Sequence, residues 1–447
     1  MLIKPTTVAN VDCQFSSLVF RTHGHRQQLT TNNVKLTLQD AFSVESLRVS
    51  AKEVIINRGC AGADGFTVDD LETWIKSTEN LKKLSAMNLT GKYFPKRLME
   101  TYIPKDNGGQ RKLNIPCVHD RLVQKASTVY LNETIDLSFH DRSFGYRPRR
   151  SLYDAVDLAK RLAVEYPFVI KLDFKNFFDN INQRRLGVLL NSFNVDPLLR
   201  KLIKRFITTK IFYNGKLINK TDSLGIPQGG ALSPFLANLY LDRLDWVLSE
   251  NGLEHVRYAD DVMIFAKSKE HGEHVKMSTA SFCNEILLAP LNEDKCSVVD
   301  TQNLKFLGLI LNNGLSIAPL AKVEGKLIEF LTQLRRKPEF LFDPNSRIKP
   351  LSKLKNKVSE IISCYKRADN FNEVLKLTDI YQEKYLDLIN NHKSTIQLWK
   401  LESRNSIDFK KYERLDDLQH DALDFFQSEN YAWLYDSKEI YNKHGVK

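Results

Sequence analysis

No two of the six cysteines (Cys13, Cys60, Cys117, Cys283, Cys296 and Cys364) stand in a Cys-x-x-Cys spacing. Their scatter predicts reduced thiols rather than a zinc site or a disulfide framework. No apolar run is long enough to span a bilayer. The first residues, with Lys4 and Pro5 followed by polar side chains, lack the apolar core of a signal peptide. Internal repeats and low-complexity tracts are missing too. These absences argue against zinc-stapled, secreted and membrane-spanning proteins, and leave the cytoplasm as the expected location with no membrane partner.

What is present suits a large folded protein. At 447 residues with 42% hydrophobic side chains, the chain can bury a sizeable core in roughly two or three domains. Lysine and arginine outnumber the acids, 65 to 54, for a net charge of +11. That excess favours a polyanionic partner, although many basic proteins bind no nucleic acid.

The chemistry centres on His255-Val256-Arg257-Tyr258-Ala259-Asp260-Asp261-Val262-Met263-Ile264-Phe265. Strand-favouring residues flank an acidic tip, which predicts a strand–turn–strand with adjacent carboxylates at its end. Like charges side by side are costly unless a cation neutralises them. Mg²⁺ suits such a place, because it takes oxygen ligands from one or two carboxylates and from substrate phosphates. A bare Asp-Asp pair is more often a solvated turn, so partners elsewhere must decide. One is Asp173, closing the apolar run Phe168-Val169-Ile170-Lys171-Leu172. Another is the loop Gly225-Ile226-Pro227-Gln228-Gly229-Gly230-Ala231-Leu232-Ser233-Pro234, lying between the acidic elements.

Asp173 with its following aromatics, the Pro-Gln-Gly loop and Tyr-Ala-Asp-Asp, in that order, resemble the palm of a reverse transcriptase. The resemblance runs from about Asn57 to about Gly308 and is strongest to bacterial enzymes of the group II intron-like lineage. It implies an α+β right-hand polymerase fold, with fingers, a palm built on an antiparallel sheet, and a helical thumb. The expected divisions are an N-terminal extension over 1–50, fingers over 51–165, palm over 166–310, thumb over 311–400 and a C-terminal extension over 401–447.

Read along the chain, a helix is predicted near 43–57 and another from Asp69 through Lys76, after the Gly62–Thr67 turn. Tyr102 to Pro116 reads as a hairpin around Asn107-Gly108, residues that tolerate positive φ. The resemblance makes it the fingers hairpin, with Lys105 and Arg111 on the incoming nucleotide. The basic loop Ser143-Phe144-Gly145-Tyr146-Arg147-Pro148-Arg149-Arg150-Ser151 reads either as a solvated turn or as phosphate contacts. Its similarity to the family pattern favours a template path through Arg147, Arg149 and Arg150. Phe212 to Lys216 is a further turn. Ser233 is expected to cap the next helix with Pro234 in its first turn, and Gly225, Gly229 and Gly230 to let a substrate approach the backbone. Gln228 would offer its amide to a nucleotide or template base, and Lys295 would face the triphosphate. Phe306-Leu307-Gly308 would grip the primer. Beyond 320 the sequence turns to Lys- and Leu-rich helices: Leu320 to Lys337, then a linker with Pro344 and Pro350, then Lys353 to Arg367. An acidic, aromatic stretch follows from about 405.

The implied activity is RNA-directed DNA synthesis, with Asp173, Asp260 and Asp261 as catalytic and metal-binding residues for two Mg²⁺ ions, replaceable by Mn²⁺. Partners would be an RNA template, dNTPs and the cDNA product. Phe178 stands where the family carries an aromatic steric gate. An extended segment would turn Phe177 into packing and Phe178 towards the site. An RNA-copying polymerase that makes RNA shares the chemistry, but Tyr-Ala-Asp-Asp, Phe178 and Pro-Gln-Gly oppose it. A catalytically idle nucleic-acid scaffold is opposed by the intact carboxylates. No His-Asn-His or zinc-bearing endonuclease pattern is recognised after the thumb-like region. By family analogy that favours a stand-alone enzyme using a dedicated non-coding RNA in antiphage defence over a group II intron maturase.

Overall fold

The computed structural model describes residues 37–104, 109–213, 216–218, 223–336 and 350–391. Lys105, the Asn107-Gly108 turn, the Pro344 linker and the acidic stretch after 405 lie outside the described residues. By its contacts the chain divides into two units, Met1–Ser316 and Ile317–Lys447.

Capping chemistry starts two of the first unit's helices near where the sequence predicts them. Ser43 accepts from the Ser46 amide ahead of the helix Val44–Asn57. Thr67 and Asp70 bond each other's backbone in a capping box that opens Val68–Trp74. β1 (Leu98–Pro104) and β2 (Gln110–Ile115) form the expected hairpin, with Ile103 opposite Arg111. β3 (Phe168–Leu172) is followed by the short helix Phe177–Asn180. β4 (Ile211–Tyr213) and β5 (Lys216–Ile218) extend the first sheet to the order β2-β1-β4-β5.

β6 (His255–Tyr258), β7 (Asp261–Ala266) and β8 (Ser297–Asp300) complete a second sheet, ordered β6-β7-β3-β8. All its pairings are antiparallel, and β3 lies inside, between β7 and β8. From Val262 to Ala266 every residue of β7 is buried, the unbroken apolar run of a strand covered on both faces. The helices Ser233–Glu250 and Lys269–Ser281 pack on this sheet. Leu236, Tyr240 and Leu244 are wholly buried in the shared core. Side chains of this size contribute about 1.5–3 kcal/mol each when removed from water. β9 (Leu304–Phe306) and β10 (Leu309–Asn312) form a further hairpin.

One expected cap is corrected. Leu232, not Ser233, stands at the N-cap of Ser233–Glu250, and no side chain caps it. The Ser233 hydroxyl donates instead to the Pro227 carbonyl at 2.5 Å, closing the Pro-Gln-Gly loop.

In the second unit the helices Leu320–Arg336, Pro350–Tyr365 and Phe371–Asn391 bury Val323, Leu327, Val358, Ile361, Val374 and Tyr381. The Tyr381 hydroxyl donates to Glu324 at 3.0 Å. The chain is thus α+β, a polymerase-type antiparallel sheet followed by a helical unit, as the resemblance implies.

Candidate active site

The β3–β7 register pairs Leu172 with Val262, so the next residue, Asp173, is delivered beside Asp261 at the same sheet end. β6 and β7 pair Tyr258 with Asp261, leaving Ala259 and Asp260 as a two-residue loop. The backbone just past Asp173 is stitched down: the Asn292 amide donates to the Asp173 carbonyl at 2.7 Å, and Lys175 to Pro290 at 2.9 Å. Asp173 itself donates its amide to the Cys296 thiol at 3.3 Å.

The electrostatics follow from the convergence. Burial pushes the Asp260 carboxyl above the usual range, Arg111 draws it down and Asp173 pushes it up further. Asp261 is raised by burial, then by Asp260 and Asp173, with Lys171 opposing. Three carboxylates therefore feel one another at one sheet end. Among the described residues no three His, Cys, Asp or Glu side chains form a ready-made metal cage. An all-oxygen donor set fits a hard cation that completes its shell with water and phosphate, as Mg²⁺ does.

The remaining site residues divide. Arg111 is exposed on β2 and its charge reaches Asp260. Lys295 stands 4.0 Å from the Asp173 carboxylate, their side chains 64% and 47% exposed, a pair worth little in water. Gln228 is held through its backbone, donating to Asn114 Oδ1 at 3.3 Å and accepting from the Asn114 amide at 2.6 Å, while its side chain is half-buried. Lys105 lies outside the described residues.

Phe177 is buried against Phe174 and Tyr240, whereas Phe178 is half-buried on the rim of the core. The expected ordering of the two rings holds, but the expected reason does not. The segment is a helical turn, Phe177–Asn180, so neighbours diverge by about 100° and not by strand alternation. Gly225, with φ +75°, and Gly229, with φ +117°, admit close approach of the protein's own backbone. A Cβ on Gly225 would meet the Asp179 carbonyl at 2.7 Å, and one on Gly229 the Asn114 carbonyl at 2.7 Å.

Arg147 requires correction as a template contact. Its guanidinium is buried, donating to the Asp136 carboxylate at 2.7 Å and to the carbonyls of His140 at 2.7 Å and Ser143 at 2.9 Å. Arg150 is also drawn back, bonding the Asp141 carbonyl and carboxylate at 2.6 and 2.5 Å beside the Phe144 ring. The exposed members of this loop include Tyr146 and Arg149, both at positive φ. The Tyr146 ring lies 6.3 Å from that of Tyr258. Sequence reasoning missed Lys112, which pairs with Asp179 at 2.8 Å next to Phe178. It also missed Lys171, whose ammonium donates to the Lys305 carbonyl at 2.7 Å. A lysine two residues before Asp173, in an otherwise apolar strand, was the available signal.

Residues 103–311 match the family described as reverse transcriptase (RNA-dependent DNA polymerase). That segment is a reverse transcriptase domain. Over 198 residues the chain is 35% identical to the group II intron-encoded protein LtrA of Lactococcus lactis subsp. cremoris, covering 44% of this chain and 32% of LtrA. Protein YkfC of Escherichia coli (strain K12) is 30% identical over 227 residues, 49% of this chain and 58% of YkfC. The retron Mx162 reverse transcriptase of Myxococcus xanthus is 28% identical over 179 residues, 38% of this chain and 36% of the relative. The chain thus spans less than two thirds of the length of these relatives. Among solved structures, a Candida Tropicalis telomerase with a telomeric RNA fragment is similar at 15% identity and a TM-score of 0.40, covering 71% of this chain and 59% of that one. The β6-β7-β3-β8 sheet, with the three carboxylates at its end, lies inside the matched segment.

Proposed function

We propose that this protein is an RNA-directed DNA polymerase whose reacting phosphate is handled at Asp173, Asp260 and Asp261. The convergence of these carboxylates at one sheet end, inside the reverse transcriptase domain, carries the reading. Asp173, Asp260 and Asp261 would hold two Mg²⁺ ions. Bound there, such ions would stabilise the attacking and leaving oxygens of an in-line displacement. The chain's own part is positioning and charge: Arg111 and Lys295 offset the triphosphate, and Lys105 is assigned the same role from its place in the hairpin. Phe178 would exclude a ribose 2′-hydroxyl, and Gln228 would line the nucleotide's place. Arg149 is the member of the basic loop that remains for a template phosphate.

The test is extension of a primer on an RNA template by purified protein with dNTPs and Mg²⁺. Asp260→Asn should fold and bind RNA as wild type does, and lose extension. Extension by that variant at the wild-type rate would refute the assignment.

The cellular reading is a cytoplasmic enzyme that copies a dedicated non-coding RNA in antiphage defence. Similarity to retron reverse transcriptases from Myxococcus xanthus and Escherichia coli supports the dedicated RNA. A group II intron maturase is the second reading, favoured by the 35% identity to LtrA. Sequencing the RNA and cDNA that co-purify separates them, since a maturase should carry intron RNA. Phage challenge of cells with and without the gene tests the defence role.

A further inference from the structure

Beneath the Ala259–Asp260 loop lies a polar network that is shut off from water. Arg257 is wholly buried in the middle of β6. Its Nε donates to both Asp245 oxygens at 2.9 Å, and Nη2 donates to Asp245 at 2.6 Å. Its Nη1 donates to Asn238 Oδ1 at 2.8 Å and to the Ala259 carbonyl at 3.0 Å. Asn238 in turn donates to the Gly145 carbonyl at 2.7 Å. A Cβ on Gly145 would lie 2.5 Å from the Ala259 amide nitrogen, so the basic loop touches the hairpin backbone. Ala259 has φ +58°, a conformation that L residues rarely keep unless their surroundings impose it.

We propose that Arg257, anchored by Asp245 and Asn238, is a positioning residue that fixes the strained Ala259 peptide and thereby the places of Asp260 and Asp261. This rests on the reading of those aspartates as the polymerase carboxylates. A bare stabilising role explains the network poorly. Desolvation cancels much of the attraction within a buried ion pair, and an apolar pair of similar volume often does as well. An apolar pair cannot, however, donate to the Ala259 carbonyl. The charge of Asp245 is secure: burial pushes its carboxyl up, but Arg257 and the neighbouring His255, 3.6 Å away, together outweigh this and hold it down to about 2.

The experiment therefore separates stability from placement. Arg257→Met alone strands a buried carboxylate and should lower the melting temperature sharply. The double variant Arg257→Met with Asp245→Leu removes both charges and should recover most of that loss. If Arg257 positions the hairpin, the recovered protein still exchanges amide hydrogens faster over residues 256–265. Its kcat for primer extension falls by about a hundredfold, the scale of an ångström of misplacement, with KM for dNTP little changed. Gly145→Ala leaves every charge in place while pushing on Ala259, and should give the same exchange and kcat signature whether or not the double variant folds. Wild-type exchange in Gly145→Ala, or wild-type exchange and kcat in a recovered double variant, would overturn the proposal. Should the wild type itself fail to extend primers, the polymerase reading falls, while the exchange comparison still decides the role of Arg257.

Discussion

Arg147→Ala distinguishes a structural arginine from a template-binding one. The Arg147 side chain is 3% exposed and that of its partner Asp136 9%, so the pair is screened little by water. Removing one member of such a buried pair costs about 3–5 kcal/mol, because the remaining charge is left without compensation. The loss is compounded at the His140 and Ser143 carbonyls, which give up the donors at 2.7 and 2.9 Å. In a domain of roughly 150–250 residues each kcal/mol moves the melting temperature by about 2–4 °C, so a fall on the order of 6–20 °C is expected. A phosphate contact would behave otherwise. Each one contributes about 0.7–0.9 to the slope of log K against log salt, through counterion release. Melting followed by RNA binding at several salt concentrations below the transition reads both quantities. Arg147→Ala should melt early with its salt slope unchanged, and Arg149→Ala should melt normally with the slope reduced. Normal melting with a reduced slope in Arg147→Ala would refute the reasoning and return that residue to the template path.

Two further expectations rest on other parts of the fold. Phe178→Val should admit ribonucleotides while largely keeping deoxynucleotide incorporation, scored as the dNTP-to-rNTP ratio of kcat/KM; a constant ratio with a lowered melting temperature would make Phe178 packing alone. His140 is held neutral by burial, then by His255 and Arg142, against the pull of Asp245 and Asp141, and its pKa falls to about 4. The unfolded chain binds that proton near 6.5, so stability is full above that pH and declines as pH drops towards 4, by about 3 kcal/mol in all. His140→Gln should flatten the melting profile between pH 7 and 4; a profile parallel to wild type would place the acid sensitivity elsewhere.

The converging carboxylates were legible because each one closes or interrupts a strand-forming run, a pattern that survives without knowledge of tertiary contacts. Asp173 ends the apolar β3 and Asp260-Asp261 break β6 from β7, so local propensity alone sends all three to strand ends. The arginines were not legible in the same way. Arg147 sits in a Gly- and Pro-containing loop, where a cation ordinarily reads as solvated. Only the folded chain shows that the carbonyls of Asp136, His140 and Ser143 converge on its guanidinium. Likewise the sequence does not show that Gly225 and Gly229 also let the Asp179 and Asn114 carbonyls come close. Asn238 and Asp245 did leave a trace. They are seven residues apart on a helix, hence on one face, and that face carries the buried Leu241 and Leu248. Polar residues in an apolar stripe signal a buried partner, and Arg257 in the buried β6 was its counterpart.

A net charge of +11 is therefore a poor measure of how many phosphates this protein can hold. Two of the arginines nearest the acidic hairpin spend their charge inward, Arg147 on Asp136 and loop carbonyls, Arg257 on Asp245 and the Ala259 carbonyl. The inward charge still serves the site. Asp260 is drawn down by Arg111 from outside and by Arg257 from beneath, against burial and the repulsion of Asp173. A cluster of like charges on a strained two-residue turn would otherwise relax by moving apart. A buried cation that cannot leave opposes that movement without competing for the face that the proposed function assigns to a metal and a triphosphate. The exposed cations Arg111, Lys295 and Arg149 keep their charge at the surface, where the proposed function puts substrate, while the buried ones hold the structure.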